Sequence, residues 1–116
     1  MTKILVVDDE INVRKLYRKE LENEGYSVVT ARDVQEAIES VDSESPDLII
    51  LDIKLGNESG IDALVEIVES RKEIPVIINS AYSVYKENFK TWAADAYIVK
   101  SMDLDPLKNK IRELVQ

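Results

Sequence analysis

Five short apolar runs punctuate the chain, at 4–7 (ILVV), 26–29 (YSVV), 48–51 (LIIL), 76–78 (VII) and 96–99 (AYIV). Most are unbroken and rich in Val and Ile, which predicts strands covered on both faces, as in a parallel sheet. Between them the apolar spacing changes to that of helices. Val34, Ala37, Ile38 and Val41 fall at i, i+3, i+4 and i+7, as do Ile61, Leu64, Val65 and Val68. Tyr85, Phe89, Trp92 and Ala93, and then Leu107, Ile111, Leu114 and Val115, follow i, i+4, i+7 and i+8. The first helix is less regular, with Val13, Leu16, Tyr17 and Leu21 expected inward. Each stripe is one apolar face of an amphipathic helix. The aromatic stripe Tyr85, Phe89 and Trp92 is read as core packing rather than a ligand box.

The punctuation agrees with this division. Gly25 stands where the first helix should stop, a place that favours a left-handed residue. Asp33 and Glu36 have the N-cap-to-N3 spacing of a capping box, with Asp in the Ser/Thr role. Pro46 and Pro75 lie just before strands. Strand and helix alternate five times, which predicts a single α/β domain over residues 1–116 with a parallel sheet and right-handed crossovers.

Composition narrows the chemistry. The 116 residues are 45% hydrophobic and 33% charged, enough for a real core and a well-solvated surface. Neither cysteine nor histidine is present, which removes disulfides, thiolate nucleophiles and the usual general base. The net charge of −8 opposes nucleic-acid binding. No apolar run is long enough to span a bilayer, so a cytoplasmic protein without a membrane partner is expected.

In a parallel sheet the working crevice lies at the carboxyl ends of the strands. Strand one ends at Asp8 and Asp9, strand three at Asp52, strand four at Ser80 and strand five at Lys100. A lone Asp at a strand end is usually a turn former, a lone Lys is usually solvated and Ser80 alone means nothing; the joint occurrence carries the argument. Three neighbouring carboxylates repel unless a cation relieves them. Oxygen donors of this type suit Mg²⁺, and Lys100 adds a fixed positive charge. Such a site stabilises further negative charge, a phosphoryl group above all. With no Cys or His, a carboxylate is the economical nucleophile, and Asp52 on the central strand is the best placed.

These segments, "VVDDE", "PDLIILDIKLGNESG", "PVIINSA" and "DAYIVK", resemble those of the response regulator receiver domains, the CheY-like phospho-acceptors of two-component signalling. The resemblance covers essentially the whole chain. It implies a doubly wound five-stranded parallel sheet of order 2-1-3-4-5 with five helices, a flavodoxin-like arrangement. It implies that Asp52 accepts a phosphoryl group from the phosphohistidine of a sensor histidine kinase. Asp9, Asp52 and the backbone carbonyl of Lys54 would ligate Mg²⁺, or Mn²⁺ in its place, and Asp8 would hold it through water. Lys100 and Ser80 would contact phosphoryl oxygens, and Tyr97 would be the aromatic switch that turns inward as Ser80 moves. Asn12, Val13, Leu16 and Ser101 would lie on the kinase-facing surface. The module would catalyse its own phosphorylation and dephosphorylation without being a turnover enzyme.

Four departures from the family pattern stand out. Ser101 replaces the usual proline, leaving the Lys100–Ser101 peptide open between trans and a strained cis form. Gly56 stands where many relatives have proline. Asn79 is polar where the family is usually apolar. The segment from Ser80 to Lys100 is about two residues short. Lys54 and Tyr82, two residues after Asp52 and Ser80, are large and flank the path of attacking water, so slow hydrolysis of the acyl phosphate is expected.

Nothing after Gln116 supplies an effector, so the output is expected through protein contact: a stand-alone monomeric switch docking on a target, or a relay passing phosphate to a phosphotransfer protein. A domain cut from a larger protein fits the same sequence. The alternative within the fold is a pseudo-receiver that binds partners without phosphate. A haloacid-dehalogenase-type phosphatase would need an acid where Lys54 stands. A flavin or nucleotide module would need a Gly- or Ser/Thr-rich loop in place of "DDEINV".

Overall fold

The computed structural model describes residues 1–52, 66–67, 69–71, 73–81 and 94–115. In chain order the elements are β1 (Lys3–Val7), α1 (Ile11–Asn23), β2 (Ser27–Ala31), α2 (Val34–Glu44), β3 (Leu48–Leu51), β4 (Val76–Ser80), β5 (Ala96–Val99) and α3 (Asp105–Val115). Residues 66, 67, 69 and 70 are also helical. The stripes expected at 61–65 and 85–93, with Val68 and the side chain of Val34, lie outside the described residues.

All four strand pairings are parallel, in the order β2-β1-β3-β4-β5. Every residue of β1 from Ile4 onward, and of β3 and β4, is buried, as their unbroken apolar runs require. The edge strands are only partly covered. Alternation along the strands divides the core in two. Tyr17 and Leu21 of α1, with Leu107 and Ile111 of α3, pack on one face against Ile4, Val6, Ile50 and Ile77. Ala37 and Val41 of α2, with Ile67, cover the other face against Leu5, Val7, Ile49 and Ile78. Helices thus lie on both sides, the doubly wound arrangement. Each fully buried Ile or Leu contributes about 1.5–3 kcal/mol relative to exposure.

Local chemistry sets the element ends. Gly25 takes φ +96°, and its N–H reaches Glu22 O while that of Tyr26 reaches Leu21 O, closing α1 in a Schellman turn. Asp33 caps α2 by accepting from Glu36 N at 2.9 Å. The Glu36 carboxylate returns to Arg32 N rather than to the cap residue itself, a capping box shifted by one. Ser45 ends α2 in the left-handed region, ahead of Pro46. At the strand entrances Asp47 accepts from Lys3 N and Asp95 from Val76 N, each at 2.8 Å, satisfying the first donors of β1 and β4.

One inward assignment changes. Leu16 is 46% exposed, whereas Tyr17 is 4% and Leu21 1%. The buried stripe of α1 follows a spacing of four (13, 17, 21), and at about 100° per residue Leu16 turns off it toward solvent.

Candidate functional site

The strand order reverses between β1 and β3, whose carboxyl ends lie side by side. Val7 pairs with Leu51 and Leu51 with Ile78. One step outward, Asp8, Asp52 and Asn79 follow in three adjacent strands, and Asn79 pairs with Ile98 of β5. Backbone bonds from Asp52 N to Val7 O and from Lys100 N to Ser80 O carry the ladder into this row. The parallel register therefore delivers the acids and the lysine to one crevice.

One carboxylate oxygen from each of Asp8, Asp9 and Asp52 lies within 4.8 Å of the others. Their environments differ. Asp8 is buried, accepting from Glu10 N at 2.9 Å and from the Lys100 ammonium at 2.7 Å. Asp9 is exposed. The Asp52 side chain is 8% exposed and stands 3.4 Å from Lys100 Nζ. Burial, reinforced by the Asp8 charge, pushes the Asp52 carboxyl up to about 6, and Lys100 offsets only part of this. Burial would lower the Lys100 ammonium, but its hydrogen bond to Asp8 and the charges of Asp52 and Asp8 outweigh that and raise it. The cluster carries more negative charge than one ammonium balances. Three hard oxygen donors at this spacing fit a divalent cation.

Ser80 is fully buried at the end of β4, and Tyr97 is 7% exposed, in the core with Leu5, Val7 and Ile78. Ser80 pairs with Val99, one residue before Lys100. No described peptide is cis, so the Lys100–Ser101 bond is trans. Ser101 is exposed, and its Oγ accepts from Asp103 N at 3.1 Å. The Asp103 carboxylate accepts from Asp105 N, leading the chain into α3. On α1, Asn12 and Leu16 are exposed and Val13 is half-buried. Exposed Ile11 lines a pocket with Arg14, Lys15, Arg18 and Thr30. Lys54, Gly56 and Tyr82 lie outside the described residues.

Two contacts escaped sequence reasoning. Arg14 donates to Asp8 O at 2.6 Å and so clasps the loop between β1 and α1; its place in the first turn of α1 was the available signal. Asn79, polar within an apolar strand, is buried and accepts from the Tyr17 hydroxyl while its amide donates to Ile98 O at 3.0 Å. The oddity of Asn79 was legible, but its partner, 62 residues away, was not.

The sequence profile of the response regulator receiver domain matches residues 4–112. Response regulator ArlR of Staphylococcus saprophyticus is 35% identical over 117 residues, covering 100% of this chain and 53% of the relative. The chain thus spans about half the length of that curated relative. A crystal structure of response regulator TrrA from Thermotoga maritima, in complex with Mg²⁺-BeF, is 44% identical with a TM-score of 0.90, covering 98% of this chain and 99% of that one. A structure of histidine kinase ThkA in complex with TrrA matches at 43% identity and TM-score 0.89, covering 100% of both chains. Profile, relatives and fold agree with the acid–lysine crevice at the switch point: the chain belongs to the response regulator receiver domain family, whose members are signalling modules rather than turnover enzymes.

Proposed function

We propose that Asp52 is the phospho-acceptor of this receiver domain and that the donor is the phosphohistidine of a sensor histidine kinase. The observation that carries this reading is the placement of Asp52 beside Asp8, Asp9 and Lys100 at the junction of β1 and β3. An Asp52 carboxylate oxygen forms a bond to phosphorus as the phosphorus–nitrogen bond to imidazole breaks. The electron pair stays on the imidazole nitrogen, which is left able to take a proton from water. The product is an acyl phosphate on Asp52.

Asp9 and Asp52, with the Lys54 carbonyl, are the residues proposed to hold Mg²⁺, and Asp8 acts on it through water; Mn²⁺ is expected to serve in its place. When bound, the ion supplies positive charge to the phosphoryl oxygens. Lys100 leaves its contact with Asp8 to pair with one phosphoryl oxygen, and the Ser80 hydroxyl donates to another. Tyr97 is buried, and it and Ser80 are proposed to bias the neighbouring surface between arrangements that partners distinguish. The α1 surface bearing Asn12, Val13 and Leu16, together with Ser101, is proposed as the kinase contact. The output is a target protein or a phosphotransfer protein, with residues 1–116 acting as one monomeric domain.

Intact mass after incubation with acetyl phosphate, with and without Mg²⁺, tests the reading on wild type and Asp52→Ala. A single phosphoryl adduct requiring both Mg²⁺ and Asp52 is expected. Absence of an adduct with acetyl phosphate and with phosphorylated histidine kinases would favour the pseudo-receiver alternative.

A further inference from the structure

Asn79 is 2% exposed and sits between Ile78 and Ser80 in a central strand. A buried amide there is costly unless both its ends are bonded. Both are: the carbonyl accepts from the Tyr17 hydroxyl of α1, and the amino group donates to the Ile98 carbonyl of β5. One side chain therefore ties together three elements, α1, β4 and β5.

The position of this tie matters more than its existence. Asn79 follows Asp8 and Asp52 in the same outward row of the sheet, on the α1 side. Ser80 is its chain neighbour, and Ile98, its register partner, is two residues before Lys100. Both strand ends that present a group to the phosphoryl oxygens are thus anchored within two residues of the reacting groups. Tyr17 packs among Ile4, Val6, Ile50 and Ile77 directly under this row. Burial pushes its hydroxyl up to about 12, with Lys100, Asp8 and Asp52 also acting on it, so the phenol stays protonated, a donor, over the whole physiological range.

We propose that Tyr17 and Asn79 are positioning residues for phosphoryl transfer to Asp52, their buried hydrogen bond holding the β4 and β5 ends so that Ser80 and Lys100 meet the phosphoryl oxygens in register. The inference rests on the phospho-acceptor reading. The bond made and broken is the one described above; Tyr17 and Asn79 exchange no proton and touch no substrate. Their effect falls on the rate at saturation, because small misplacements of reacting partners cost rate steeply.

The test compares wild type, Tyr17→Phe, and Tyr17→Phe/Asn79→Leu. Tyr17→Phe keeps the ring and removes only the hydroxyl, leaving the Asn79 carbonyl oxygen unpaired. The double variant removes both members of the buried Tyr17–Asn79 bond, so no unpaired Asn79 oxygen remains; it is expected to regain part of the thermal stability, the Ile98 carbonyl having lost its donor. Phosphorylation by acetyl phosphate is followed by intact mass across donor and Mg²⁺ concentrations, alongside thermal unfolding. Both variants are expected to phosphorylate on the order of tenfold more slowly at saturating donor. The half-saturating donor and Mg²⁺ concentrations should stay near those of wild type, and the rate should remain low in the double variant although part of its stability returns. A rate that recovers together with stability, or an unchanged rate in Tyr17→Phe, would overturn the proposal and leave the pair a packing feature. Failure of the wild type to take an adduct from acetyl phosphate and from a phosphorylated histidine kinase would instead strike the phospho-acceptor reading itself.

Discussion

The Lys100 ammonium lies 2.7 Å from the Asp8 carboxylate, closer than its 3.4 Å approach to Asp52. The lysine is therefore held mainly by the most buried acid of the cluster. Lys100→Met strands that acid, and removing one partner of a buried pair destabilises by about 3 kcal/mol. Divalent cation offsets the lost charge, so Mg²⁺ should raise the stability of the variant more than that of wild type. Urea unfolding in EDTA and in Mg²⁺ measures both terms; equal Mg²⁺ effects in the two proteins would contradict this account.

The pH dependence of the cation-free protein follows from Asp52. Its carboxyl is raised from 3.8 to about 6 by burial and then by the Asp8 charge. As pH rises past 3.8 the unfolded chain loses this proton while the folded chain still binds it. Stability from this group therefore falls between about pH 4 and pH 6, and the deficit persists above that window. Asp52→Asn abolishes this component, so in EDTA at pH 7–8 the variant should be the more stable by on the order of 1 kcal/mol. Saturating Mg²⁺ reverses the ranking: wild type gains about 2.7 kcal/mol at one hundred times the dissociation constant, and the variant gains much less. Denaturant midpoints between pH 4 and pH 8 test this.

Two left-handed residues give effects of opposite sign. Gly25 has φ +96° and open space where a Cβ would project, so Gly25→Ala carries only the backbone penalty, about 1 kcal/mol. Ser45 at the end of α2 has φ +46° and already bears that penalty. Ser45→Gly should stabilise by up to about 1 kcal/mol, reduced by the extra freedom glycine has in the unfolded chain. Thermal midpoints moving in the same direction for both substitutions would refute the backbone explanation.

Leu16 separates docking from chemistry. It is exposed on α1, one residue from buried Tyr17, and has no core to lose. Leu16→Asp should slow phosphotransfer from a phosphorylated histidine kinase domain by about tenfold, equivalent to about 1.4 kcal/mol of contact. Labelling by acetyl phosphate should keep its rate, since the acid cluster and the Tyr17–Asn79 link are untouched. A parallel loss in both assays would mean that the substitution disturbs α1 itself.

The local elements were legible because they rest on short-range rules. Unbroken Val/Ile runs specify buried parallel strands, a Gly at position 25 specifies a helix stop, and Asp33 specifies a cap, whatever the rest of the chain does. The candidate site was legible for a related reason: a strand is a ruler, so acids, serine and lysine placed just past apolar runs arrive at one edge once the strands are parallel. Residues alone did not determine which strand ends are neighbours; the order 2-1-3-4-5 came from the resemblance, and the tertiary pairing realises it. Tertiary structure also decided that Leu16 faces solvent, that the Lys100–Ser101 peptide is trans and that Lys100 prefers Asp8. It alone joined Tyr17 to Asn79, because a hydrogen bond across 62 residues depends on helix packing angle and sheet register together, and neither is encoded in a local pattern.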